Sequence, residues 1–305
     1  MPHPFFWCNC TKNAIICTWK LQKKNIPANA LIVMLCKICG QQTREIFSAK
    51  ILSRHLVKYY FCDNCEFLHT EDPYWLNAAY ANPINLTDTG LLQRNVCLSR
   101  QITPILYYLF DKDGSYLDWA GGYGVFTRLM RDIGFDFYWA DPYAENIFAK
   151  GFEYSKDLSI KAITSFESFE HFVAPMTDIQ EMFSISKNII FTTILLPKII
   201  PKPDEWWYYG LEHGQHISFY SEKTLKYLAS KFKLHLISKG NLHILSENKL
   251  NSFFSYLTFG KRGGKFRKIL LKFISHKCGS SLHGKTHDDM NLLISKTNMH
   301  HESPV

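Results

Sequence analysis

The stretch Tyr116-Leu117-Asp118-Trp119-Ala120-Gly121-Gly122-Tyr123-Gly124 leaves the chain few ways to fold. An apolar run ends in an acid, a glycine-rich turn follows, and Val125, Leu129 and Met130 then recur at the spacing of one helix face. Strand, tight turn and helix together lay backbone N–H groups and a helix start against a ligand. Glycine is required where a Cβ would block close approach or where the turn needs a positive φ. The same pattern also fits a plain strand-to-helix turn, so the neighbouring sequence must decide.

Counting from Gly122 gives Gly122, Gly124 and then Thr127, so the third glycine of a dinucleotide-binding G-x-G-x-x-G is absent. A nicotinamide-dependent oxidoreductase is therefore disfavoured. A second apolar run, Phe135 to Ala140, stops at Asp141, where the end of a parallel strand would offer a carboxylate to ribose hydroxyls. Together these residues resemble the class I S-adenosylmethionine-dependent methyltransferases, whose acid-x-G-x-G-x-G motif matches 118–124. Ala120 departs from it, standing where the first glycine is expected. The resemblance implies an α/β fold. Its centre is a Rossmann-like, seven-stranded, mostly parallel sheet with helices on both faces. S-adenosylmethionine is the implied cofactor, held by Asp118, Ala120, Gly121, Gly122, Gly124, Asp141 and Phe166.

At 305 residues, with 46% hydrophobic and 15% aromatic side chains, one sizeable core and a small extra module are expected. No run approaches the roughly 18 apolar residues of a membrane span. No basic region precedes a long apolar core, so no secretory signal is read and a cytoplasmic location is expected. The net charge of +8 is concentrated: 248–285 holds nine lysines and arginines and no acid. Phe266, Ile269, Leu270, Phe273 and Ile274 there follow a helical period. That helix packs on its own domain, touches anionic lipid or a lipid-linked substrate through 261–277, or meets a polyanionic substrate or nucleic acid. The second reading would add a membrane-associated location.

Cys36-x2-Cys39 and Cys62-x2-Cys65 each sit at a turn, with strand-forming residues between them. Four thiolates at this spacing can close a tetrahedron on structural zinc, giving a zinc ribbon over 34–72. So small a module lacks core of its own, so the metal would supply folding free energy. The ribbon has no dense phosphate-binding stripe, which makes nucleic acid a weaker partner than a small molecule. Residues 1–33 hold four lysines and no acid, and read as a disordered tail or as sequence upstream of a start at Met34. Residues 73–110 form a helical linker ending in a helix over 91–110 that carries Arg94. The core spans 111–247, the basic insertion 248–285, and the last strand and tail 286–305.

Two further stretches carry chemistry. Lys161 to Phe166 reads as the fourth strand, followed by Glu167-Ser168-Phe169-Glu170-His171. Glu167 and His171 are four apart, which on one helical turn would give them a common face. By the resemblance Glu167 lies beside the methionine end of the cofactor, and His171 is a candidate acid/base. After the fifth strand, 188–193, comes Trp206-Trp207-Tyr208-Tyr209-Gly210-Leu211-Glu212-His213-Gly214-Gln215-His216. Its aromatic faces suit sugars or flat rings, so Trp206, Trp207, Tyr208 and His213 are candidates for the acceptor. His213 and His216 alone do not make a metal site, because no third ligand is placed. The block resembles that of sugar and polysaccharide-associated methyltransferases, which implies His216 as the base. Gln215 stands where the sugar C-methyltransferases usually carry Glu. The expectation is methyl transfer to a small-molecule or carbohydrate acceptor. The alternatives are a zinc-ribbon RNA methyltransferase or a non-catalytic protein that binds the cofactor. Phe232 to Leu245 is expected as a sixth strand and 290–295 as the last.

Overall fold

The computed structural model describes residues 33–81, 88–251, 277 and 281–301. The tail expected to residue 33, Val33 apart, and the basic amphipathic segment at 261–277, Lys277 apart, lie outside them. The described residues from Met34 onward form one compact unit.

Among the described residues the central sheet has six strands: β4 (Ser115–Trp119), β5 (Asp136–Ala140), β6 (Ile160–Ser165), β7 (Ile189–Thr192), β9 (His235–Lys239) and β10 (Leu242–Ser246). Their order is β5-β4-β6-β7-β10-β9. The first four are parallel, and β10 runs antiparallel to both β7 and β9. Alternation along each strand divides the side chains between two faces. Tyr116, Ala162, Ile190 and Ile244 face one core, with Ile102, Ile105 and Leu106 of α2 (Leu91–Leu109) and Phe126 and Met130 of α3 (Val125–Ile133). Leu117, Ile163, Ile189, Phe191 and Leu245 face the other, with Ile179 and Met182 of α4 (Pro175–Ile185) and Leu225 and Leu228 of α5 (Glu222–Phe232). Burial on both faces is what makes these strands read as continuous apolar runs.

The seven-strand expectation is corrected to six, for two reasons. After β5 the chain offers only a one-residue parallel bridge, Trp139 to Glu153, so no full strand forms on that edge. The expected last strand, 290–295, lies inside a helix, α6 (Thr286–His301). Met290, Leu293, Ile294 and Thr297 share a helical period, and Asp288 and Asp289 sit in the first turn, where acids favour a helix start. Buried Asp289 pairs with Arg131 at 2.6 Å, tying α6 to α3. The expected sixth strand is instead the hairpin β9–β10, turning at Gly240 with φ +60°. Residues 145–148 form no helix. Helix α2 runs through Pro104 unbroken. Ser221 caps α5, exchanging bonds with Thr224 at 3.0 and 3.1 Å.

The cysteine-bearing segment forms a second sheet: β1 (Arg44–Ile51), β2 (His55–Phe61), β3 (Leu68–Thr70) and β8 (Ser218–Phe219). Its fourth strand comes from far along the chain, directly after the His213–His216 loop. Cys36, Cys62 and Cys65 also lie in the same core as Leu117, Phe191 and Leu225. The cysteine module is thus built into the main core. No described helix is long and apolar enough to cross a membrane.

Candidate functional site

The glycine turn leaves β4 and enters α3 under tight steric limits. A Cβ on Gly121 would stand 2.7 Å from Asp118 Oδ2 and 2.9 Å from Trp139 Cδ1. Gly124 has φ +83°, and a Cβ there would stand 2.7 Å from Asn146 Oδ1. Gly122 differs: its φ is +54°, yet nothing lies within 4 Å of where a Cβ would be. Its backbone is therefore bare on the open side. Ala120 has φ +56°, the left-handed conformation that penalises a side chain. We predict that Ala120→Gly raises stability by about 0.5–1 kcal/mol. Relief of about 1–2 kcal/mol of left-handed strain is partly offset by greater unfolded-chain entropy. Urea denaturation would show it, and a loss of stability would contradict it.

Asp141 reaches across from the end of β5. Its Oδ2 accepts the Gly122 N–H at 2.9 Å, and its Oδ1 accepts the N–H groups of Tyr143 and Ala144 at 2.8 Å. Trp139 Nε1 donates to the Gly122 carbonyl at 2.8 Å. A carboxylate has roughly four acceptor positions, so Asp141 keeps one for a hydroxyl in addition to bracing the turn. The bare Gly122 backbone beside that carboxylate fits a nucleoside-bearing cofactor.

Asp118 lies beneath the turn, fully buried, with the hydroxyls of Thr127 and Thr164 at 3.1 Å. Burial pushes its carboxyl up to about 7, outweighing those two bonds. A carboxyl raised in the folded state stabilises most below its unfolded value and loses that contribution as pH rises through about 7. Asp118→Asn is therefore expected to flatten the fall in stability between about pH 4 and pH 7. At most about 4 kcal/mol is involved, at 1.36 kcal/mol per pH unit. Denaturant titrations of both proteins across that range would reveal it, and parallel pH profiles would refute it.

At the end of β6, Phe166 packs edge-on against Phe126, with ring centroids 4.8 Å apart. Glu167 follows with φ +51°, a second strained non-glycine residue at the C-terminal edge of the sheet. Thr192 of β7 holds it from both sides: Thr192 Oγ1 accepts the Glu167 N–H at 2.9 Å and donates to Oε1 at 2.8 Å. The shared face expected of Glu167 and His171 is not formed. The only helical turn is a 3-10 turn over Phe169–His171, and Glu167 precedes it in a left-handed conformation.

That turn and the 213–217 loop meet. The Ile217 N–H donates to the Glu170 carbonyl at 2.8 Å, which sets His216 beside Glu170 and His171. The His171 and His216 rings are 5.0 Å apart, and His213 lies 4.8 Å from His216. His171 Nδ1 lies 3.0 Å from the Tyr80 hydroxyl and 3.1 Å from the Gln215 carbonyl. His216 Nδ1 lies 2.6 Å from the Tyr208 carbonyl. Burial pushes His171 down to about 4 and His216 well below its usual range, so both imidazoles are neutral. Glu170 is wholly buried, and burial aided by the Glu167 charge pushes it up to about 8. Glu170, Tyr80 and Thr192 were not singled out from sequence. Glu170 could have been, since it supplies the third ligand type judged missing beside the histidines.

The aromatic block divides. Tyr208 and Tyr209 are core residues, which corrects Tyr208 as a ligand-facing ring; its hydroxyl bonds Thr193 and the Ile194 N–H at 3.1 Å. Trp206 is partly buried against that core, whereas Trp207 is 74% exposed. His213 Nδ1 accepts the Gln215 N–H at 3.1 Å. Arg94 is engaged by Asp88 through two bonds of 2.7 Å.

The four cysteine sulfurs lie within 4.8 Å of one another. The pairs Cys36–Cys65 and Cys39–Cys62 are 3.5 and 3.4 Å apart, too long for disulfides. Sulfurs about 2.3 Å from a tetrahedral ion stand roughly 3.8 Å apart, so this donor set fits a closed metal site.

Residues 93–239 match the family model described as a methyltransferase domain. No curated protein matches. The plantazolicin methyltransferase in complex with SAH is 12% identical, with 58% of this chain and 95% of that one aligned at a TM-score of 0.41. Magnesium protoporphyrin IX methyltransferase from Synechocystis PCC 6803 with bound SAH is 11% identical, covering 56% and 90% at 0.35. Human N-acetylserotonin methyltransferase in complex with SAM is 10% identical, covering 57% and 66% at 0.37.

Proposed function

We propose that the chain transfers a methyl group from S-adenosylmethionine to a small-molecule or carbohydrate acceptor, and that its four cysteines hold zinc. The observation that carries the reading is the bond between the Gly122 N–H and Asp141, which places a bare backbone and a ribose-seeking carboxylate side by side. The matched methyltransferase domain spans both.

When present, the cofactor supplies an already activated methyl group on a sulfonium. The protein's task is then to hold an acceptor atom in line and to remove its proton. Positioning of that kind can supply about 7–11 kcal/mol of barrier reduction. Gly121, Gly122, Gly124 and Asp141 form the nucleoside end, and Asp118 backs the turn from below. Glu167, fixed by Thr192, faces the methionine end. Trp207, Trp206 and His213 border the acceptor side, where an exposed indole suits a sugar or flat ring. The acceptor loses its proton at the face formed by His171 and His216. Their neutral state leaves lone pairs available there.

Radiolabelled S-adenosylmethionine incubated with nucleotide sugars, glycans, phenolic compounds and RNA tests the reading. Label should enter a small-molecule or carbohydrate acceptor. His216→Ala should lower turnover by about two to four decades, the usual worth of such a group, while leaving cofactor affinity unchanged. Full activity of His216→Ala would remove that residue from the chemistry. Transfer to RNA alone would overturn the acceptor class.

A further inference from the structure

Among the described residues, Glu170 is the buried carboxylate that has no hydrogen-bond partner on either oxygen. The other two wholly enclosed acids are satisfied: Asp118 by two threonines, and Asp289 by arginine. Burial without a partner holds the carboxyl back from ionising, and only a compensating cation would let its charged form exist there. No lysine or arginine pairs with Glu170 among the described residues. What faces it is a pair of imidazoles: one ligand atom from each of Glu170, His171 and His216 lies within 4.8 Å of the others.

Each imidazole is held through its Nδ1 atom. A proton on Nδ1 satisfies the Gln215 carbonyl for His171 and the Tyr208 carbonyl for His216, at 3.1 and 2.6 Å. Each Nε2 is then a bare lone pair. A ring N–H fixed on a backbone carbonyl is how metal-bound histidines are usually held. The two segments that carry the three groups are also locked together, by the Ile217 N–H on the Glu170 carbonyl. From these contacts we infer that Glu170, His171 and His216 hold a divalent first-row transition cation. Two imidazoles and a carboxylate form a ligand set suited to zinc, iron or cobalt, and three protein ligands leave positions open for oxygen atoms of an acceptor. Both histidines are only partly buried, so the site is reachable from solvent. The existence of this site does not depend on the methyl-transfer reading, although its use to grip an acceptor does. A bound cation takes these lone pairs, so the base role proposed above for His171 and His216 belongs to the metal-free protein.

The test uses the full chain, stripped with a chelator, refilled with zinc at the cysteines, and titrated with Co2+ in the absence of any cofactor or acceptor. A further equivalent of cobalt should bind with a visible d–d spectrum and no sulfur-to-cobalt charge-transfer band. Glu170→Gln keeps the shape and removes the charge. It should weaken that equivalent by more than the roughly 10–100-fold typical of losing an outer partner, and His171→Gln should do the same. Circular dichroism checks that both variants fold. Cobalt appearing only with the sulfur band, or binding unchanged in both folded variants, would overturn the site. S-adenosylmethionine affinity of the zinc-refilled protein should be equal with and without the added cobalt. Failure of the cofactor to bind at all would count against the methyl-transfer reading while leaving the metal result standing.

Discussion

Cys62→Ser is expected to unfold the whole chain, not only the ribbon that carries it. A structural zinc site contributes about 10–16 kcal/mol of apparent binding free energy in small domains, comparable to the roughly 5–15 kcal/mol that stabilises a folded protein. Here the cysteines do not sit apart. Cys36, Cys62 and Cys65 share a core with Leu117, Ile163 and Phe191 of the central sheet, and Thr224 of α5 donates to the Cys65 carbonyl at 2.8 Å. Strand β3 then pairs with β8, and the Thr70 N–H donates to the Ile217 carbonyl at 3.1 Å, one bond away from Glu170. Loss of the metal should therefore pass from the cysteines through β3 to the histidine loop. Thermal unfolding followed by circular dichroism should show no cooperative transition for Cys62→Ser, or for the wild-type protein after a strong thiol-competing chelator. A metal-free chain that keeps a sharp transition and binds cofactor normally would show that the cysteine site is independent of the crevice.

Asp141→Ala is expected to cost more in cofactor affinity than any other single change near the turn. The carboxylate makes three backbone bonds, to Gly122, Tyr143 and Ala144, and its remaining acceptor position is the one assigned to ribose. Charge-assisted bonds of this kind contribute about 1.5–3 kcal/mol each, so losing the ribose contact and the brace together should weaken binding by at least about 100-fold. The brace on Gly122 is not needed for folding, since Trp139 still holds the Gly122 carbonyl. The variant should therefore retain its melting behaviour while losing affinity. Wild-type affinity in Asp141→Ala would place the nucleoside elsewhere.

The parts of this architecture legible in the sequence were those governed by local steric rules. Gly121 and Gly124 announced the turn because no other residue fits there, and Asp141 marked the end of a strand that needed a carboxylate over Gly122. The cysteine pairs were equally plain, because the two C-x2-C spacings are those a four-thiolate set needs to bring its sulfurs together. Tertiary choices were hidden. Nothing local tells that 290–295 is helical and not extended, since short apolar runs suit both; burial of Asp289 against Arg131 decides it. Tyr208 and Tyr209 looked like a ligand surface but are enclosed by a sheet whose last strand arrives from β8. Glu167 reads as part of a helical turn, yet a hydroxyl one strand over, on Thr192, holds it outside that turn. Glu170 was visible in the chain, but its lack of any partner appears only once the 213–217 loop folds over it.

The most direct measurement is a calorimetric titration of the wild-type protein, zinc-replete, with S-adenosylmethionine. Saturable binding with one site per chain, displaced by S-adenosylhomocysteine and lost in Asp141→Ala, is the predicted result. An absence of heat in the well-folded wild-type protein, or equal binding by wild type and Asp141→Ala, would contradict the assignment of the Gly122–Asp141 crevice as the cofactor site.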